Sequence, residues 1–381
     1  MYSAHLSLPL QIESDDMVTM TLSPFSRPFY MMAKPVGAAC NLACGYCYYK
    51  GGDADAKRGA GRMMSDEVLE LFTRQYLESQ TNQEVLFTWH GGEPTILPIS
   101  FFEKAMRLQQ RYAAGRHIDN CLQTNGTLLT DEWCQFFHDN GWLIGLSIDG
   151  PEAMHDAWRK DKHGEPSHAR VMRAVEMLNR HDVMWNALCT VNSINAEHPL
   201  EVYRFFQSIG CRYIQFTPVG ANPASGIGRI GAKAWGRFLC EVFDEWRKED
   251  VGEVFINIFE ATLANYMGII PSICAMSDLC GHVGVVEWNG DVYSCDHFVY
   301  PEHRLGNLRQ QTICEMMQSK QQQTFSRQKT TGLPQKCKDC EWLFTCHGEC
   351  PRNHQYLCEG YRMFFRHADE FMKTMRDEIN I

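Results

Sequence analysis

The chain has 381 residues, enough for about two or three domains. Apolar residues make up 44% and charged residues 22%, a balance that excludes disordered, collagenous and low-complexity classes. The net charge of −10 argues against nucleic acid as a partner, and no apolar run of about 18 residues is present to span a membrane.

Residues 1–27 carry Glu13, Asp15 and Asp16 and lack a basic start followed by an apolar run. They read as a polar tail and not as a secretory signal. Short apolar segments bounded by Gly, Pro, Asn or Asp then predict strands at 28–35, 85–90, 119–124, 143–149, 185–191 and 213–219. Helical periodicity between them predicts helices at 65–80, 100–112, 130–139, 169–180 and 199–209. The first of these repeats Val68, Leu71 and Phe72 behind a serine suited to cap it. Six β–α units in series imply a parallel sheet with crossover helices. Six units are too few to close an eight-unit barrel, so the expected α/β fold is an open, partial (β/α)6 TIM-like barrel with its chemistry at the C-terminal strand ends.

A Gly-rich stretch at 220–231 breaks the alternation, and a helix at 234–250 ends the expected barrel domain, 28–250. In the remainder, 251–381, cysteines crowd and the β–α alternation stops. A hairpin is expected around Asn289-Gly290. The chain closes on an amphipathic helix whose stripe, Tyr361, Phe364, Phe365, Ala368, Phe371, Met372 and Met375, is read as packing.

The 17 cysteines are the anomaly. Without a secretory signal a disulfide framework is not expected, and a reducing cytoplasm is. Eleven of the 17 fall in groups: Cys40, Cys44 and Cys47; Cys274, Cys280 and Cys295; Cys337, Cys340, Cys346, Cys350 and Cys358. Cys121, Cys134, Cys189, Cys211, Cys240 and Cys314 stand singly in apolar surroundings and read as core thiols. Three thiolates on the 40–47 loop suit three irons of a [4Fe–4S] cluster, leaving one iron open. The alternative is three of the four ligands of a structural zinc. The eight distal cysteines divide into two sites of four, either two clusters or two zincs.

The C-x3-C-x2-C spacing, with Gly91-Gly92-Glu93-Pro94 ending the second strand, resembles the radical SAM superfamily. That resemblance implies that the open iron chelates S-adenosylmethionine, with Tyr46, Gly92, Glu93, Ser147, Asp149 and Arg159 as its contacts; Glu93 is expected to accept from the methionine ammonium. The distal pattern, with Cys280-Gly281 and Cys350-Pro351, resembles the SPASM domain. By that resemblance Cys274, Cys280, Cys295 and Cys350 hold one auxiliary [4Fe–4S] cluster, and Cys337, Cys340, Cys346 and Cys358 hold a second.

The ordered set of motifs is narrower. Met32-Ala33-Lys34-Pro35, the loop from Cys40 to Tyr48, Phe87 to Pro94, Leu122-Gln123-Thr124-Asn125-Gly126, Ser147 to Pro151, Gln215-Phe216 and Asn289 to His297 together are similar to the anaerobic sulfatase-maturating enzymes. The resemblance implies three [4Fe–4S] clusters and oxidation of a Cys or Ser in a Cys/Ser-x-Pro-x-Arg segment of a sulfatase to Cα-formylglycine (3-oxoalanine). It further implies Asp296 as the proton acceptor and an electron donor such as flavodoxin or ferredoxin. His90 and His297 are candidate peptide contacts, against the commoner case of a structural histidine. Two features depart from the family: Gly220 stands where members carry an apolar residue near S-adenosylmethionine, and the connection from Cys350 to Cys358 is short. Seven intervening residues still span roughly 25 Å when extended. Two other readings of the same residues are a SPASM peptide maturase forming thioether or carbon–carbon crosslinks, and a non-catalytic zinc-stabilised binding module.

Overall fold

The computed structural model describes residues 29–49, 63–220, 228–353 and 355–379. The expected tail at 1–27 and residues 221–227 of the Gly-rich stretch lie outside the described residues. Strands β1 (Tyr30–Lys34), β2 (Glu84–Trp89), β3 (His117–Thr124), β4 (Leu143–Ser147), β5 (Trp185–Val191) and β6 (Tyr213–Pro218) follow the predicted order. They are continued by β7 (Phe255–Ile256), β8 (Val283–Glu287), β9 (Asp291–Tyr293) and β10 (Arg304–Asn307). One ten-stranded sheet runs β10-β9-β8-β1-β2-β3-β4-β5-β6-β7. It is open, and β1 to β7 pair in parallel, the partial barrel expected from six crossovers.

Local chemistry explains the repeating unit. Ser65 caps the helix Asp66–Glu78 by accepting from Val68 N at 3.3 Å. Val68, Phe72 and Tyr76, four residues apart, are all buried. Phe72 and Tyr76 pack on Phe87 of β2 with ring centroids 5.6 and 5.0 Å away. On β2 itself Val85, Phe87 and Trp89 alternate inward.

The structure adds elements that the sequence reading did not name, helices at Asn257–Tyr266 and Lys320–Thr331 among them, and two further features bear on the site. A helix at Glu152–Trp158 follows β4; its seven residues are too few to show a helical stripe. The expected hairpin is present as β8 and β9, but β8 also pairs in parallel with β1 along its whole length, Tyr30↔Val283 to Lys34↔Glu287. The C-terminal part therefore completes the sheet of the N-terminal part and sets Glu287 beside Lys34.

The final helix, Cys358–Ile379, packs along Ala232–Glu249. Tyr361, Phe364, Phe365, Ala368 and Met372 of the expected stripe are buried. The helices meet at Gly236 and Gly360: a Cβ on Gly360 would stand 2.1 Å from the Ala232 carbonyl oxygen. Among the described residues no helix is long and apolar enough to cross a membrane. None of the 17 cysteines is paired in a disulfide.

Candidate active site and cluster sites

The loop carrying Cys40, Cys44 and Cys47 leaves the C-terminal end of β1 and is strapped on two sides. Ala43 N and Gly45 N donate to the carbonyls of Lys160 (2.7 Å) and Trp158 (2.9 Å). From the other side Gly92 N and Glu93 N donate to Gly37 O (2.7 Å) and Ala39 O (2.8 Å). The three thiols are half-buried. Burial, then the nearby Glu93 carboxylate, pushes the Cys40 thiol up to about 12, so only a strong local cation would keep it ionised. Three half-buried thiols on one strapped loop fit an iron cluster.

The Gly91-Gly92-Glu93-Pro94 turn owes its glycines to this packing. Gly91 has φ +123° and a Cβ on Gly92 would stand 1.8 Å from Ala39 O. Glu93 is fully buried, and its carboxylate accepts from Thr95 N (3.1 Å), Thr95 Oγ1 (2.6 Å), Thr124 Oγ1 (2.7 Å) and Asn125 N (2.7 Å). Three of these donors share Oε1 and only Asn125 N reaches Oε2, so Oε2 keeps acceptor capacity. Glu93 thus clamps the turn to the end of β3, and Oε2 is the oxygen left with capacity for the expected ammonium.

Beyond β4, Ser147 is half-buried and Asp149 is fully buried. Arg159 grips Asp149 with Nη2 and Nε, each at 3.0 Å. Tyr46 Oη and Thr190 N also donate to Asp149. Burial opposes the Arg159 charge, but Asp149 overcomes it and holds the guanidinium protonated. His155, which sequence reasoning missed, braces this pair. Its Nδ1 accepts from Asp149 N at 3.3 Å, so its proton sits on Nε2, 3.0 Å from Ser167 Oγ. Ser167 in turn donates to the Arg159 carbonyl at 2.5 Å.

Asp296 follows β9 and lies beside the end of β1. Lys34 Nζ and Tyr48 Oη contact its carboxylate directly, and Tyr49 Oη donates to it at 3.0 Å. Burial is the largest influence and would raise its pKa; Lys34, then His90 and His297, together outweigh it and hold the carboxyl well below the usual carboxylate range. Lys34 also lies 3.6 Å from Glu287 and 4.4 Å from the Tyr49 ring centre. His90 Nδ1 accepts from Gly91 N (2.6 Å) and faces Tyr49 Oη (3.1 Å). His297 packs edge-on to Tyr48 with its Nδ1 4.0 Å from Cys350 Sγ; burial, then Arg352, lowers its pKa to about 4. Lys34, Tyr48 and Tyr49 were not singled out from sequence. The available signal was a lone lysine ending an apolar strand.

The distal cysteines separate into two electrostatic groups. Burial is the first cause of each raised thiol. After burial and the opposing Lys329, repulsion from Cys350 and Cys274 holds Cys280 at about 12. Cys274 and Cys350 likewise raise Cys295, and Cys274 raises Cys350. In the second group Cys358 and Cys340 raise Cys337, Cys358 raises Cys346, and Cys340 raises Cys358. These two sets of neighbouring cysteines are the donors that two metal clusters would use.

These motifs match known proteins. The radical SAM superfamily matches residues 35–206, and an iron–sulfur cluster-binding (SPASM) domain matches 280–341, which sets the zinc-module reading aside. The serine-type anaerobic sulfatase-maturating enzyme of Bacteroides thetaiotaomicron is 52% identical, with 95% of each chain covered. The cysteine-type enzyme of Clostridium perfringens is 33% identical over 90% of this chain and 96% of its own. The solved structure of native anSMEcpe with bound AdoMet and Cp18Cys peptide superposes with a TM-score of 0.85 at 32% identity, covering 93% of this chain and 100% of that one. An open radical SAM barrel, a cluster-binding domain and near end-to-end likeness to both types agree: this chain is a radical SAM oxidoreductase that uses S-adenosylmethionine and three iron–sulfur clusters, and it belongs to the anaerobic sulfatase-maturating enzyme family.

Proposed function

We propose that this enzyme oxidises a serine side chain of a sulfatase to Cα-formylglycine, within a Ser-x-Pro-x-Arg segment. The serine-type relative at 52% identity against 33% for the cysteine-type supports the choice of residue. The observation that carries the chemistry is Asp296: a carboxylate kept ionised by Lys34, with Tyr48 of the first cysteine loop on one side and Cys295 next to it in the chain.

In this reading 28–250 is the catalytic barrel and 251–381 the cluster-holding domain. Cys40, Cys44 and Cys47 hold the S-adenosylmethionine cluster. Tyr46, Gly92, Glu93, Ser147, Asp149 and Arg159 contact S-adenosylmethionine, with Glu93 offered to its methionine ammonium. The two distal quartets, Cys274, Cys280, Cys295 and Cys350 and then Cys337, Cys340, Cys346 and Cys358, hold the auxiliary clusters. When bound, these groups supply a hydrogen-atom acceptor for the substrate Cβ and an electron acceptor for what remains. Asp296 takes the hydroxyl proton, so the side chain loses two hydrogens in all and becomes an aldehyde. Lys34 keeps Asp296 ionised until that proton arrives, and Tyr48 and Tyr49 orient its oxygens. His90 and His297 stand at the rim as peptide contacts. An external one-electron donor such as flavodoxin or ferredoxin reduces the enzyme, in a reducing cytoplasm where its thiols persist.

Two measurements on anaerobically purified protein test this. Iron and sulfide analysis is expected to give about twelve of each per chain. Incubation with S-adenosylmethionine, a reductant and a Ser-x-Pro-x-Arg peptide is expected to remove two hydrogens at that serine. Conversion of the cysteine peptide alone would overturn the choice of serine. A new crosslink between side chains would move the enzyme to the peptide-crosslinking maturases.

A further inference from the structure

Lys329 is a buried cation among the distal cysteines. It lies on the helix Lys320–Thr331, whose outer face is polar, yet it is only 3% exposed. Its Nζ donates to the carbonyl oxygens of Cys274 (3.0 Å) and Ala275 (2.7 Å). An ammonium has three donors, so these two bonds leave one more. Its charge is felt by Cys280, Cys274, Cys350 and Cys346, members of both quartets. Burying an ammonium is costly unless negative charge surrounds it, and two carbonyl dipoles alone are a weak return. Glu349, also 3% exposed, is a poor counter-charge: burial pushes its carboxyl up to about 7, and its Oε1 accepts from Asn353 at 2.7 Å.

A [4Fe–4S] cluster with four thiolate ligands is an anion in either redox state and gains one more negative charge on reduction. A fixed cation beside it favours the reduced form more than the oxidised form, so it raises the reduction potential. We propose that Lys329 is a positioning charge that raises the potential of the cluster held by Cys274, Cys280, Cys295 and Cys350, making that cluster the better acceptor for the electron leaving the substrate. The proposal rests on the ligand sets given above. It concerns a residue that touches backbone and not substrate, and it predicts a bias between the clusters, because the two carbonyls that hold Lys329 belong to Cys274 of this quartet and its neighbour Ala275.

The test uses the anaerobically purified holoenzyme, Lys329→Gln and Lys329→Arg. Gln keeps an amide donor for the two carbonyls without the charge; Arg keeps both. Each protein is first assayed for iron and sulfide and then titrated redox-potentiometrically with detection by electron paramagnetic resonance. In Lys329→Gln, the reduced fraction of the Cys274-Cys280-Cys295-Cys350 cluster at a fixed ambient potential is expected to fall about tenfold. That corresponds to about 59 mV for one electron. The other auxiliary cluster shifts less, the cluster of Cys40, Cys44 and Cys47 does not move, and Lys329→Arg returns to the wild-type potential. Fully loaded Lys329→Gln with an unchanged potential overturns the proposal, as does an equal shift in Lys329→Arg. Loss of the clusters in Lys329→Gln that Lys329→Arg reverses supports a required charge; loss in both variants assigns packing alone and overturns it. A wild-type chain with fewer than about twelve irons would instead count against the ligand sets, so the two failures are distinguishable.

Discussion

The Lys34 ammonium and the Asp296 carboxylate form an ion pair at the centre of the site, with side-chain exposures of 1% and 12%. Lys34 ends the first strand and Asp296 follows the ninth; the parallel pairing of β1 with β8 brings them together. Removing one partner of such a pair leaves the other charge buried and uncompensated, typically at about 3–5 kcal/mol. Lys34→Met is therefore expected to lower the thermal midpoint sharply and to slow turnover. Asp296→Ala should still load three clusters yet lose turnover. Asp296→Ala with wild-type turnover would remove Asp296 from the chemistry.

Gly92→Ala is expected to damage both fold and cofactor site, because its Cβ would lie 1.8 Å from Ala39 O and 2.3 Å from Ala39 C, both backbone atoms. Relieving that overlap must push the turn off the cysteine loop. The expected cost is about 1–3 kcal/mol, with a fall of tenfold or more in S-adenosylmethionine affinity by calorimetry. Unchanged affinity would show that the turn does not shape the nucleotide site.

Gly220 departs from the family pattern for a reason that the structure supplies. A Cβ there would stand 2.1 Å from Asn353 Oδ1, and Asn353 is held by Glu349 at 2.7 Å. The asparagine occupies the space of the missing side chain. Gly220→Leu alone is expected to destabilise by about 1–3 kcal/mol, and Asn353→Ala in the same chain to recover most of it. Additive effects in this double-mutant cycle would mean that the two positions do not share the space.

His155 gives a pH dependence with a definite sign. It is fully buried, and burial, then Arg159 and His168, drives its pKa well below 6.5, with only Asp156 opposing. The folded state therefore binds fewer protons than the unfolded state below about pH 6.5. Stability conferred by the neutral ring is full above that pH and is lost as the pH falls, by up to about 1.4 kcal/mol per unit. Denaturant melts at pH 7, 6 and 5 should show this slope, and His155→Gln should flatten it. The same slope in the variant would assign the effect to other groups.

The six barrel strands and five of the first six helices were legible because each advertises itself locally. Val68, Phe72 and Tyr76 mark one helix face, Val85, Phe87 and Trp89 one strand face, and Ser65 a start. The helix Glu152–Trp158 was not, since seven residues carry no measurable period. Its buried His155 was lost with it.

The sequence by itself determined the chemistry of the ligands: three thiols within one loop, and eight more whose spacing allows two quartets, are fixed by chain-local geometry. It also placed the glycines, because a backbone that approaches Ala39 within van der Waals contact admits no side chain at Gly92. Only the tertiary structure decided which distant charges meet. Glu93 reads as a ligand in its motif, and the fold gives it a further task, because Thr95, Thr124 and Asn125 all donate to it and tie its turn to β3. Lys34 and Lys329 read as ordinary lysines, yet strand pairing and helix packing bury them against carboxylates and thiols. The physical reason is that ligand spacing is set along the chain, whereas burial and charge pairing are set by which segments fold against each other.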